Sequence, residues 1–185
     1  GNATITVEGS TLTVTPEANY NGDAEVTVNV TDGEYTSTTT FTLTVTPVND
    51  APVLDALVDA ETDEDTSYTV DLLSSDIDGD NITYSASVSS GSASVDSSTL
   101  TVTPSQDYNG DITVSVTASD GSLTDSGSFT LTVNAVNDAP ILLSQYLNDF
   151  EIDEDTAITG DLEGLAVDVD GDDLIYSASV DGNGS

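Results

Sequence analysis

Apolar residues recur at every second position through much of the chain. Val26, Val28 and Val30 alternate with Thr27 and Asn29, and Phe41, Leu43 and Val45 alternate with Thr42 and Thr44. The same period runs through Ile82/Tyr84/Ala86/Val88, Ile112/Val114/Val116 and Phe129/Leu131/Val133. A period of two puts one row of side chains on a single face, the signature of half-buried strands. Val and Thr fit a pleated surface because their branched carbons stiffen χ1. Asn21-Gly22-Asp23, Asp32-Gly33, Ser90-Gly91, Asn109-Gly110-Asp111 and Asp120-Gly121 break the runs as turn signals. No stretch carries helical spacing.

The pattern repeats. Residues 12–52 align without a gap with residues 100–140, at an offset of 88. Glu64-Asp65-Thr66 returns as Glu154-Asp155-Thr156 at an offset of 90. Asp76-Ile77-Asp78-Gly79-Asp80 returns as Asp168-Val169-Asp170-Gly171-Asp172 at 92, with the extra residues falling in loops. The expected organisation is the second half of a repeat over 1–47, a complete repeat over 48–135, and the first half of another over 136–185. About seven short strands in each unit of roughly 90 residues predict an all-β fold of tandem Greek-key β-sandwiches. Two readings of the halves stay open: a stretch of a longer array, or chains that complete one another's half-domains.

Composition then narrows the chemistry. The 185 residues carry 26 Asp and nine Glu against no Lys, Arg or His, a formal charge of −35, and there is no Cys, Met or Trp. Without cationic side chains the protein has no means of neutralising phosphates, so nucleic acid is excluded as a partner. Without His or Cys there is no Ser-His-Asp or Cys-His nucleophile, no ordinary zinc site and no disulfide staple. No apolar run reaches the ~20 residues of a helical membrane span, so membrane insertion is not expected. A charge this high over modest hydrophobicity would ordinarily predict disorder; the repeated strand pattern argues otherwise.

Asp belongs in turns and hard-cation sites, and here it clusters. Asp76, Asp78 and Asp80 stand at alternate positions around a glycine turn, as do Asp168, Asp170 and Asp172. Converging carboxylates repel unless a cation lies among them, and hard oxygen ligands in such numbers suit Ca²⁺ better than Mg²⁺. An EF-hand is excluded, because its sixth and twelfth positions would be Asn81 and Ser87 in place of Gly and Glu. Asp32-Gly33 and Asp120-Gly121 read as hairpin turns instead of ligands. Tyr20 and Tyr108, before the Asn-Gly pairs, read as packing residues. The sequons at Asn2, Asn29 and Asn81 read as chance matches in a Thr- and Ser-rich chain.

In order along the chain, Val48-Asn49-Asp50-Ala51-Pro52, Glu64-Asp65-Thr66, Asp76-Ile77-Asp78 and Tyr84-Ser85 resemble cadherin repeats. The phrases LTVTP, DYNGD, SDG, FTLTV and VNDAP are similar to the bacterial cadherin-like tandem repeat of giant surface adhesins, over essentially all 185 residues. That resemblance implies calcium bound between successive domains. The linker ligands would be Asn49 and Asp50 at the first junction and Asn137 and Asp138 at the second. Glu64 or Glu154 would be the early glutamate, and Asp76 with Asp78, or Asp168 with Asp170, the Asp-x-Asp pair. The preceding domain would contribute Asp107 to Asn109, or Asn19 to Asn21. Two departures matter. Pro47 and Ala135 stand where a cadherin linker starts with Asp, and one Asn is missing before Ala-Pro, which implies fewer ions per junction. Asn19 in place of Asp107 implies weaker calcium binding at the first junction.

The function expected is a calcium-stiffened extender in a long extracellular protein of the bacterial cell surface. Its partners would be neighbouring repeats of the same protein or identical chains head to tail, with an unknown ligand at the distal end. The alternatives are a subunit of an extracellular filament built by half-domain complementation, and a ligand-binding or homophilic adhesion module. Paired carboxylates could serve glycoside hydrolysis, but they recur with the repeat, so no enzyme is expected.

Overall fold

The protein is described by a computed structural model that places residues 2–143, 151–180 and 182. Among them there is no helix, and the architecture is a set of β-sandwich repeats built from antiparallel hairpins. Four strands come first: β1 (Ala3–Glu8), β2 (Thr11–Pro16), β3 (Gly22–Thr31) and β4 (Thr36–Val45). β1 pairs only with β2, and β3 only with β4.

A complete sandwich follows. Its elements are β5 (Val53–Leu54), β6 (Ala60–Asp63), β7 (Tyr68–Asp71), β8 (Ser74–Ser75) and β9 (Thr83–Val88). They continue with β10 (Ser92–Asp96), β11 (Thr99–Thr103), β12 (Gly110–Ser119) and β13 (Thr124–Asn134). One sheet runs β10-β11-β7 and the other β6-β13-β12-β9, while β5 pairs with β8. All pairings are antiparallel except β6 with β13, which is parallel. Two short strands come last, β14 (Ile141–Leu142) and β15 (Ala166–Val167), paired in the same way as β5 and β8.

The alternating residues do what their spacing requires. Leu100 and Val102 from one sheet meet Ile112, Val114, Val116, Leu131 and Val133 from the other, all buried. Burying each such side chain is worth about 1.5–3 kcal/mol before the entropy of ordering is charged against it. The Tyr68 and Phe129 rings meet across the sheets, tilted by 57° at 6.2 Å. Strand β9 begins at Thr83, so Ile82 of the alternating row lies just outside it.

The turn chemistry is partly as expected. Asp32 and Asp120 cap their hairpins: their carboxylates accept the amides of Glu34 and Tyr35, and of Ser122 and Leu123. The Asn-Gly pairs sit one step later than a turn. The turns themselves are Glu17–Tyr20 and Ser105–Tyr108, closed by Tyr20 and Tyr108 amides on Glu17 and Ser105 carbonyls. Gly22 and Gly110 then open strands at φ of +119° and +126°, each beneath the ring of the preceding tyrosine. The two hydroxyls donate to the Asp23 and Asp111 carbonyls, and the Tyr108 ring packs against the core.

Candidate metal centre

Because β6 runs parallel to β13, it ends where β13 ends, at the start of the second linker. Asp63 stands opposite Asn134, and the Glu64 amide donates to the Asn134 carbonyl at 2.9 Å. Glu64 is therefore carried into the junction, where it is only 4% exposed. Its Oε1 accepts the Val136 amide at 2.6 Å, which ties the body of the repeat to the linker.

Two further carboxylates arrive beside it. Asp65 holds a left-handed φ of 57° in the turn between β6 and β7, and Asp107 one of 54° in the turn before β12. Asp65 Oδ1 accepts the Asp107 amide at 3.2 Å. Asp138, from the linker, completes a group whose carboxylate oxygens lie within 4.8 Å of one another. The Asp138 amide in turn donates to Asp170 Oδ2 at 2.7 Å, so the following unit shares the site. Partial burial raises the Asp138 pKa above its ordinary value, and the charges of Asp107, Asp170, Asp65 and Glu64 push the same way. Like charges at this spacing repel by about 1 kcal/mol per pair in water and about 3 at an effective dielectric near 20.

A second group forms at the first linker. Asp76 Oδ1 accepts the amides of Asp78, Gly79 and Asp80 at 2.9, 3.1 and 3.3 Å, folding the loop so that all three carboxylates converge within 4.8 Å. Its other oxygen, Oδ2, is buried and accepts no hydrogen bond. A buried carboxylate oxygen without a donor is costly, and a hard cation is the partner that would satisfy it. The Asp50 amide donates to Asp78 Oδ2 at 2.7 Å, the same contact that Asp138 makes with Asp170. Asn19, Asn21, Asp50 and Asp78 line one cleft between the first hairpins and this loop. The donor set is all oxygen, with no nitrogen or sulfur ligand, as Ca²⁺ prefers.

The other sequence-derived positions are less engaged. Asp168 Oδ1 accepts the amides of Asp170 and Asp172, repeating the Asp76 turn, but among the described residues these three form no converged group. Asn49 and Asn137 each turn the side-chain amide onto the next carbonyl, that of Asp50 or Asp138. Asn49 also donates to Asp120 Oδ2 at 2.8 Å, so this hairpin aspartate reaches the linker as well. Glu154 is exposed. Asp65 is the residue that sequence reasoning passed over. Its signal was present, since it recurs as Asp155 and both take a left-handed φ, the geometry that Asp tolerates when its carboxylate is used locally.

Two stretches of the chain are similar to known families. Residues 1–46 match the family model of the cadherin-like domain, and residues 49–132 match that of the bacterial Ig domain. The two stretches thus resemble cadherin-like and Ig-like domains, modules that are typically extracellular and adhesion-type. The search of curated proteins gave no match. Among solved structures, human protocadherin-24 EC1-2 is 15% identical, with 71% of this chain and 76% of that one covered at a TM-score of 0.48. Protocadherin gamma B7 domains 1–4 are 20% identical, with 83% and 44% covered at 0.47. An endo-fucoidan hydrolase of glycoside hydrolase family 107 is 23% identical, with 74% of this chain but 22% of that one covered at 0.37. The chain therefore spans about a fifth of that hydrolase. At such scores neither adhesion nor hydrolysis transfers from them. No helix among the described residues is long and apolar enough to cross a membrane.

Proposed function

We propose that this chain is a calcium-stiffened extender segment of a long extracellular, adhesin-type protein, built from repeats of the VNDAP/EDT kind. The observation that carries the reading is the orphaned, buried Asp76 Oδ2 within three converging carboxylates, placed where a linker meets a sandwich. At the first junction Asp76, Asp78 and Asp80 would hold the ion, with Asp50 from the linker. At the second, Glu64, Asp65, Asp107 and Asp138 would hold it, with Asp170 from the following unit. The second set spans the body of one repeat, a linker and a neighbour; the first spans a linker and the body of the repeat after it, and shares its cleft with Asn19 and Asn21 of the preceding unit. An ion bound there resists bending, because any change in angle pulls an oxygen off the metal.

Calcium would also stabilise the sandwiches. Extracellular modules bind it with Kd of about 10⁻⁴–10⁻³ M. A ligand that binds only the folded form at a hundredfold excess over Kd contributes about 2.7 kcal/mol. For a unit of ~90 residues that raises the melting temperature by about 10–20 °C. Calorimetric melts in calcium and in EDTA should show this rise, and Asp76→Asn should remove much of it. Identical melts in the two solutions would defeat the proposal.

A further inference from the structure

The two sides of the complete sandwich are not alike. On one side lie β6 and β7, each the outer strand of its sheet. Both are only four residues long. These strands and the residues flanking them carry Asp59, Glu61, Asp63, Glu64, Asp65 and Asp71. Short length and charge are two of the devices that keep a free strand edge from pairing with another chain.

On the other side lie β9 and β10, the outer strands at the opposite ends of the same two sheets, packed beside each other. Residues 81–95, which make up both, contain no acid and no proline, in a chain with 35 acids among 185 residues. Among the described residues β9 pairs with β12 alone and β10 with β11 alone, both in a register without a bulge. None of the charge, proline or bulge that guards an edge is present here. Tyr84, Ala86, Val88, Ala93 and Val95 turn to the core, while Thr83, Ser85, Ser87, Ser92 and Ser94 stand exposed with small hydroxyl side chains. At one end of this side a groove of about 530 Å³ opens, lined by Ile82, Tyr84 and Val95 among uncharged polar side chains.

Charge decides what such a surface can meet. With no Lys, Arg or His in the chain, an acid on one copy finds no side-chain ion-pair partner on another. Two copies therefore approach without like-charge repulsion only across surface that is free of acids. A cationic partner would be drawn to the acidic side instead. We propose that the β9–β10 side is where two copies of this chain lie against each other, β9 pairing antiparallel with β9 and β10 with β10 about one twofold axis. The contact is isologous and closes at two, and each sheet continues into that of the other copy by strand addition. The axis sets the two chains running in opposite directions, the geometry of chains that project from facing surfaces. One repeat offers a small area, so a single pair is weak; successive repeats along two long chains would add their contacts. The pairing goes beyond the extender reading and needs no calcium.

The test is analytical ultracentrifugation of the 185-residue chain, from micromolar to millimolar concentration, in EDTA with about 0.15 M NaCl to screen net repulsion. The expected result is a mass that rises towards twice 19.0 kDa and no further. Ser87→Asp, on β9, should move the midpoint of that rise at least tenfold higher in concentration. Thr69→Asp, which adds the same charge on exposed β7, should leave it in place. Equal melting temperatures for the two variants exclude misfolding as the cause. Amide exchange in residues 83–88 and 92–96 should slow as concentration rises, and that in residues 68–71 should not. A chain that keeps a single mass throughout would overturn the proposal, as would association that both substitutions weaken equally or that Ser87→Asp leaves unchanged. None of these outcomes touches the calcium-dependent melts, and identical melts in calcium and EDTA would defeat the extender reading while leaving the pairing in place.

Discussion

Asp138 sits where four other carboxylates act on it, and its pKa is raised by partial burial and by Asp107, Asp170, Asp65 and Glu64. A folded pKa above the unfolded one gives a contribution that is complete below the unfolded value and is lost as pH rises through the folded one. Asp32 and Asp120 are shifted the opposite way, because backbone amides donate to them, along with the Asn49 side chain for Asp120. Their contribution is lost only as pH falls below the ordinary carboxylate value of 3.8. In the range above the ordinary carboxylate value of 3.8 the Asp138 effect therefore stands clear of theirs. In EDTA the melting temperature should fall as pH rises across that range, and Asp138→Asn should flatten the slope. In calcium the trend should reverse, since the ion needs the ionised carboxylate. A slope in EDTA unchanged by Asp138→Asn would count against crowding at this residue.

A single-residue difference also ranks the two junctions. Asn19 holds the place of Asp107, with nearly the same left-handed φ of 61° against 54°, so the backbone is conserved while a charge is not. Calorimetric titration of Asp107→Asn should show calcium affinity at the second junction reduced roughly tenfold, about 1.4 kcal/mol. Asn19→Asp should strengthen the first junction by a similar factor. Equal affinities at the two junctions of the unaltered chain would contradict this ranking. Asp76, Asp78, Asp80, Asp107 and Asp138 were legible from their spacing and from the family likeness. Asp65 was not. Sequence shows that two acids adjoin at Glu64-Asp65, but which of them turns inward depends on the parallel pairing of β6 with β13, a contact some seventy residues apart.

At the level of elements, alternation marked every long strand, because a one-residue slip would turn the whole row of apolar side chains outward. It did not mark the two-residue strands β5, β8, β14 and β15, which are too short to show a period. Nor could it say that identical patterns would be buried to different depths. Leu131 is fully buried and its counterpart Leu43 only half-buried, for the reason that strands β6, β7 and β9 cover one and not the other. Leu131→Ala should cost the complete sandwich about 2–5 kcal/mol in denaturant unfolding, and Leu43→Ala much less. Turns divide in the same manner. A Cβ on Gly91 would collide with the Thr103 carbonyl and Pro104 at a φ of +79°, whereas Gly79 has the same φ and open space. Gly91→Ala should therefore destabilise far more than Gly79→Ala, and comparable urea midpoints for the two would show that the close approach is not maintained.

At the scale of the whole molecule, the charge of −35 divides by role. Some acids serve structure: Asp125 accepts the Leu54 amide, Asp59 that of Thr130, and Asp71 the Thr99 hydroxyl. Others gather at the two linkers, where their mutual repulsion raises the cost of ionisation. On the proposed reading, a cation bound at the linkers sets the angle between repeats. Small-angle scattering on the chain, in millimolar calcium and in EDTA, tests it most directly. The expected result is a larger maximum dimension and a rod-like profile in calcium, with a shorter, more variable profile in EDTA. The same maximum dimension in both solutions would contradict it.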